Sequence, residues 1–230
     1  MKPLPHTQAP AWPMLAWLSA ALAGVAVPVF AIVWLADASA PAPLVGAAGP
    51  IMALGLMGVA MIAAAASGRL WIGVVLALMT GTGLAGLAIT LGLPPVPHPL
   101  STALAMIIAS VSFAARGALF ARSGLGKGWL IALFVVAGEA AVLMTAAARP
   151  EALPDWLLVL LPAQWASTAI QASMAGAGAQ AARACLIALG GTAAATLLVV
   201  WLWPRRWTYL IMFTAWLGLS ALVWQTQAVA

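Results

Sequence analysis

Charge is what this chain has least of. Four Asp or Glu and nine Lys or Arg make up 6% of its 230 residues, where a soluble globular domain carries about 25%. A water-soluble fold of this size exposes too much surface to be built from such a composition. Cysteine is nearly absent as well: Cys185 stands alone, which excludes an intrachain disulfide and any cysteine-based metal cluster. The two histidines, His6 and His98, fall outside the long apolar runs, so a bis-histidine haem site within a bilayer is excluded. The nine bases form no patch interleaved with aromatics, and no nucleic-acid footprint is present. Their formal excess of +5 is better understood as a membrane topology signal.

What the chain does have is apolar length. Hydrophobic residues are 65% of the total, and hydrocarbon is the only solvent that accepts them. Runs long enough to span, at about 20 residues each, lie at 11–36, 44–66, 70–93, 99–121, 128–148, 184–203 and 207–225. None alternates with the period of two that a membrane β-barrel needs. The breaks between runs follow turn chemistry, as in Pro94-Pro95-Val96-Pro97-His98-Pro99, Ser123-Gly124-Leu125-Gly126-Lys127-Gly128 and Trp203-Pro204-Arg205-Arg206. Trp12, Trp34, Trp71, Trp129, Trp203, Trp207 and Trp224 sit near run edges, where an amphipathic ring favours the headgroup level. Trp17, Trp201 and Trp216 lie deeper and are expected to pack between helices. Lys2, the first run and Ala38-Ser39-Ala40 imitate a signal peptide. At about 25 residues, however, the run exceeds the 7–15 of an h-region, and it is retained as the first span.

The segment 156–180 is ambiguous, and charge decides its reading. With seven spans and the N-terminus inside, Lys2, Arg69, Arg116, Arg122, Lys127, Arg205 and Arg206 all fall on the cytoplasmic side. Asp37, Glu151 and Asp155 then fall outside, with Arg149 and Arg183 as basic exceptions. An eighth span would carry Arg205 and Arg206 across, against the positive-inside bias. Gln164, Ser167, Thr168 and Gln171 also mark one polar stripe along a helix, as interfacial or re-entrant helices have. The expected fold is an all-α polytopic transmembrane bundle. It has about seven spans, in a range of six to eight, plus an interfacial or re-entrant helix over 156–180, in a bacterial inner membrane. No run is left over for a soluble module, so any step driven by ATP is expected to need a partner.

Glu139 is the most informative side chain. It lies about 11 residues into its run, hence roughly 16 Å deep at 1.5 Å per residue. A carboxylate at that depth costs a few kcal/mol and is expected to be protonated, paired or facing a polar cavity. It serves either as a proton, cation or polar-substrate site or as a neutral acid bonding two helices. Arg116, on the preceding run, is its candidate partner across roughly 8 Å of depth, although snorkelling to the interface beside Arg122 and Lys127 is the expected arrangement. Gln164, Thr168 and Gln171 are candidates to border the same pathway.

Gly81-Thr82-Gly83-Leu84-Ala85-Gly86 spells G-x-G-x-x-G, but no βαβ unit surrounds it and no acidic residue follows about 20 positions on. Gly81, Gly83 and Gly86 are therefore assigned to close helix packing. Pro28 is expected to kink the first span, and Gly176, Gly178, Gly190 and Gly191 suit a re-entrant turn. There is no H-E-x-x-H, no paired intramembrane aspartates, no G-x-S-G with a span-borne histidine and no lysine placed for a retinal Schiff base. One carboxylate does not make a catalytic constellation, so an enzyme is not expected, and no cofactor can be named.

The stretch Leu153-Pro154-Asp155-Trp156 to Leu161-Pro162-Ala163-Gln164-Trp165, followed by a Gly-rich break, an apolar span and Arg205-Arg206, resembles the end of an ABC-2-type export permease. The likeness covers about 55 residues. It implies re-entrant extracellular helices ahead of a span that ends in basic residues. The chain departs from the family in its seventh span and in short cytoplasmic loops that offer an ATPase little surface. The functional expectation is a small permease or permease subunit moving a solute or proton. The alternative is a non-catalytic anchor or assembly subunit of a larger respiratory or other membrane complex. Lipid is the certain partner, with other membrane subunits or a second copy left open.

Overall fold

In lipid a backbone without neighbours can satisfy its own polar groups only as a helix, and each expected span is one in the computed structural model. Residues 12–37, 43–149, 151–205 and 207–229 are described. Lys2, His6, the Ala38-Ser39-Ala40 stretch and Arg206 lie outside them. Helix α1 (Trp12–Ala21) runs through a π-turn (Leu22–Ala26) into α2 (Val27–Ala36), forming one span. The others are α3 (Pro43–Ser67), α4 (Leu70–Thr90), α5 (Pro99–Ser123), α6 (Gly128–Ala148), α10 (Arg183–Trp201) and α11 (Thr208–Val229). Three short helices fill the gap before α10, namely α7 (Asp155–Val159), α8 (Pro162–Met174) and α9 (Gly178–Ala181). Among the described residues, seven helices are long and apolar enough to cross a membrane, and no strand occurs. α4 ends at Thr90 instead of 93, because Gly92 turns left-handed (φ 107°) ahead of the prolines.

Helix α3 occupies the centre. Its 25 residues include no aromatic and one polar side chain, Ser67, so neighbours can close on it from every side. Of its apolar stretch 72% is buried, against 17% for α6 and α11. α1, α2, α4, α5, α6 and α8 all pack on it. The contact with the first span is backbone against backbone: a Cβ on Gly58 would lie 2.9 Å from Ala23 C and Gly24 N. The π-turn belongs to the same contact. Pro28 has no N–H to donate and its ring excludes the carbonyl four residues back, that of Gly24. A widened turn over Leu22–Ala26 absorbs the misfit.

Of the three glycines assigned to packing, Gly81 alone meets that description within the chain, lying against Leu56 and Met106. Gly83 and Gly86 face open space, because they fall on the opposite side of α4 from its buried residues Gly73, Ala77, Gly81, Leu84 and Ala88. The deeper tryptophans also divide. Trp201 is 78% exposed and Trp17 is exposed on the outer face, so neither packs as expected. Trp216 is partly buried, and Trp129, expected at a run edge, is buried.

α5 and α10 run parallel. Leu104 and Ile108 of one share a groove with Arg183, Leu186 and Ile187 of the other, and at the far ends Arg122 donates from Nη1 to the Val200 carbonyl. A cation there meets the negative end of the α10 dipole. Connectivity places Arg69, Arg122, Lys127 and Arg205 at this one end of the bundle. Asp37, Glu151, Asp155, Arg149 and Arg183 lie at the other.

Candidate functional site: a hairpin held inside the bundle

Between α6 and α10 the chain folds back on itself. Thirteen residues of α8 rise about 20 Å, too little for a hydrocarbon core of about 30 Å. α7 lies along the second half of α11, the two lining a cleft of about 290 Å³ through Trp156, Leu160, Leu217 and Trp224. The chain breaks at Leu160–Leu161, where Leu161 is extended (φ −94°, ψ 117°) and Pro162 opens α8. α8 then returns. Its first turn touches Glu139 in the middle of α6, and Gln171 reaches the first turns of α3. Beyond its end, Gly176 and Gly178, both left-handed (φ 86° and 71°), lie against Pro97 and His98 at the start of α5. Both arms of the hairpin therefore open at the same end of the bundle. α8 is enclosed by α3, α5 and α10, not laid on a surface.

A break at that depth frees backbone groups that nothing in hydrocarbon can satisfy. Backbone bonds serve some of them, Leu161 N–H to the Leu158 carbonyl and Gln164 N–H to the Leu161 carbonyl, and side chains serve others. Trp165 Nε1 donates to the Val159 carbonyl at 2.7 Å, and Trp216 Nε1 to the Leu160 carbonyl at 3.1 Å. The N-cap residue Leu161 has no side-chain oxygen to offer the first turn of α8. Glu139 supplies it from another helix: its Oε2 accepts the Ala163 N–H at 2.9 Å. The carboxylate thus sits at the positive end of the α8 dipole, accepting a backbone bond. A neutral acid can accept this bond through its carbonyl oxygen as a carboxylate can.

Arg116 is the neighbouring charge. The guanidinium does not snorkel toward Arg122 and Lys127; it turns inward. Nη2 lies 3.5 Å from Ser112 Oγ, one turn deeper on α5, and Cζ lies 5.6 Å from the centre of the Phe113 ring. Burial of the intervening turn, with Gly117, Ala118 and Leu119 packed, closes the outward route. Arg116 makes no ion pair with Glu139 within 4 Å, and Nη1 is buried with no hydrogen-bond partner, as is Ser110 Oγ on the same helix.

Gln171 has a different task. Nε2 donates to the Val45 carbonyl at 2.7 Å and Oε1 accepts the Gly49 N–H at 2.8 Å. One amide so bridges the two ends of a helical turn in α3, immediately before Pro50, which has no N–H to give that helix. Approach this close needs glycine: a Cβ on Gly49 would stand 2.6 Å from Gln171 Cβ. Gln164 and Thr168 share the face of α8 that carries Gln171 and are half-buried, with no described side-chain hydrogen bond. Glu139 and Gln171 are therefore engaged with the hairpin, Arg116 keeps its contacts within α5, and Gln164 and Thr168 only adjoin the hairpin.

Gly49 and Pro50 escaped sequence reasoning, as did the donor roles of Trp165 and Trp216. The available signal was Leu161-Pro162, a helix start with no capping side chain of its own. Among the described residues no three His, Cys, Asp or Glu gather as metal ligands do. No family model matches the chain, and no curated protein or solved structure is significantly similar to it.

Proposed function

We propose that this membrane protein is a small permease or permease subunit, with its polar pathway at the tip of the α7–α8 hairpin. The observation that carries the reading is the bond from Ala163 N–H to Glu139 Oε2, which joins a broken helix to an ionisable group at mid-bundle depth. Interrupted helices whose ends meet near the bilayer midplane are how many transporters build substrate and ion sites. Intramembrane carboxylates carry protons or cations more often than they serve structure alone. Here one carboxylate oxygen is held by the backbone, and the other is left to bind a proton or cation, with Arg116 setting the local charge. The likeness of the last stretches to export permeases supports the same class. The sorting of Arg69, Arg122, Lys127 and Arg205 to one end supports an N-terminus inside, in a bacterial inner membrane.

The test is flux. Purified protein is reconstituted in liposomes with a trapped pH-sensitive dye, and a potassium gradient with valinomycin imposes a potential. The reading expects acidification above that of protein-free liposomes, reduced at least tenfold by Glu139→Gln, which keeps an oxygen for Ala163. Equal rates with and without protein would refute it for protons.

A second reading, an anchor or assembly subunit, has one observation in its favour. Gly83 and Gly86 leave a smooth, unfilled face on α4, and small residues on an exposed face allow another membrane helix to come close. Replacing both by Leu would release a stoichiometric partner from the purified complex if this reading holds, and would change nothing in a lone permease.

A further inference from the structure

A groove of about 500 Å³ lies between the first halves of α5 and α10, away from the contacts made by Glu139. Leu104, Ile108, Leu186 and Ile187 form its apolar part, and Gln180 and Arg183 its polar part. Arg183 opens α10, and Ile108 lies nine residues beyond the start of α5, so the groove reaches about 13 Å below the helix ends. Leu104 and Ile187 are nearly half exposed, at 45% and 47%, so the groove opens sideways onto hydrocarbon. A cation and an amide at headgroup level above branched aliphatic side chains match the chemistry of a phospholipid, polar at one end and apolar along the rest.

Arg183 lacks an evident counter-charge. Alanines flank it, and the first turn of α10 contains no carboxylate. It stands at the helix end whose dipole opposes a cation and at the end of the bundle with fewer bases, against the distribution that sets topology. An anionic headgroup answers each of these. We infer that the groove binds one phospholipid with an anionic headgroup, the headgroup on Arg183 and Gln180 and an acyl chain along the four aliphatic residues. The inference requires only that the bundle is in a membrane and is independent of the transport reading.

The full chain in mixed micelles holding equal phosphatidylglycerol and phosphatidylcholine is examined by native mass spectrometry at rising collision energy. One phosphatidylglycerol per chain is expected to be retained, preferred about fivefold, the factor that one basic residue at a membrane surface gives. Arg183→Gln should bring the preference close to one, and Ile187→Trp, which fills the groove, should lower retention of both lipids. Arg149→Gln, a base at the same end outside the groove, should keep the preference. All variants are compared as monodisperse fractions of equal elution volume. Equal retention of the two lipids by the unaltered chain overturns the proposal. So does a preference that survives Arg183→Gln or falls as much with Arg149→Gln.

Discussion

Glu139 answers three demands at once: it caps α8, balances Arg116 and holds the tip of the hairpin at its depth. Replacing it by Gln keeps an acceptor for Ala163 but leaves Arg116 without an opposite charge nearby, so the thermal midpoint in detergent should fall, though by less than for Glu139→Leu. Glu139→Leu removes the acceptor as well and leaves the buried Ala163 N–H without a partner, a loss of about 1–3 kcal/mol. It should appear as a clear drop in melting temperature. Adding Arg116→Leu should recover part of that loss, since removing both charges is far less destabilising than removing one. A double variant no more stable than Glu139→Leu alone would mean that the two groups are energetically independent. That Glu139 stands out was legible in the sequence, because a lone carboxylate deep in an apolar run is conspicuous. Its partner was not. The bond runs to a backbone N–H of another helix, and a backbone donor has no residue type to betray it. Arg116 turned inward for a related reason: its reach to the interface could be estimated from sequence, but the packing that closes the route could not.

Among the elements, the α3–α8 contact is the most demanding. Gly49→Leu has no room beside Gln171 and Ser167, and should separate the hairpin from the central helix, giving aggregated protein on size-exclusion chromatography. Gln171→Leu is milder, leaving the Val45 carbonyl and the Gly49 N–H without their partner for about 1–3 kcal/mol. Trp216→Phe, which keeps the ring but loses the donor to Leu160, should cost about 1 kcal/mol. Equal melting temperatures for Gln171→Leu and the unaltered chain would show that the bridge contributes nothing. Spans were easy to see because length and hydropathy alone define them. The central place of α3 was also written in its small side chains, though a helix without aromatics draws no attention until its neighbours are known. Gly83 and Gly86 misled for the converse reason: a small-residue motif announces close approach but not from which molecule.

At the scale of the whole molecule, charge sorting, the parallel pair α5 and α10 and the short α7–α8 hairpin describe one topology. Among the described residues seven helices are long and apolar enough to cross, and the two arms of the segment between α6 and α10 open at the same end of the bundle. The sequence supported this through Arg205 and Arg206 and the positive-inside bias. The depth of the hairpin, and the tryptophan and carboxylate bonds that make a break there tolerable, required the fold. The topology also gives the most direct test. In a Cys185→Ala background, cysteines are introduced singly at Lys127, Glu151 and Ala177, all exposed, and intact cells or right-side-out vesicles are treated with a membrane-impermeant maleimide. Labelling of Glu151→Cys and Ala177→Cys together, with Lys127→Cys protected until the membrane is broken, is the predicted result. Labelling of Ala177→Cys only in company with Lys127→Cys would mean that the hairpin segment crosses the bilayer, and would contradict the account.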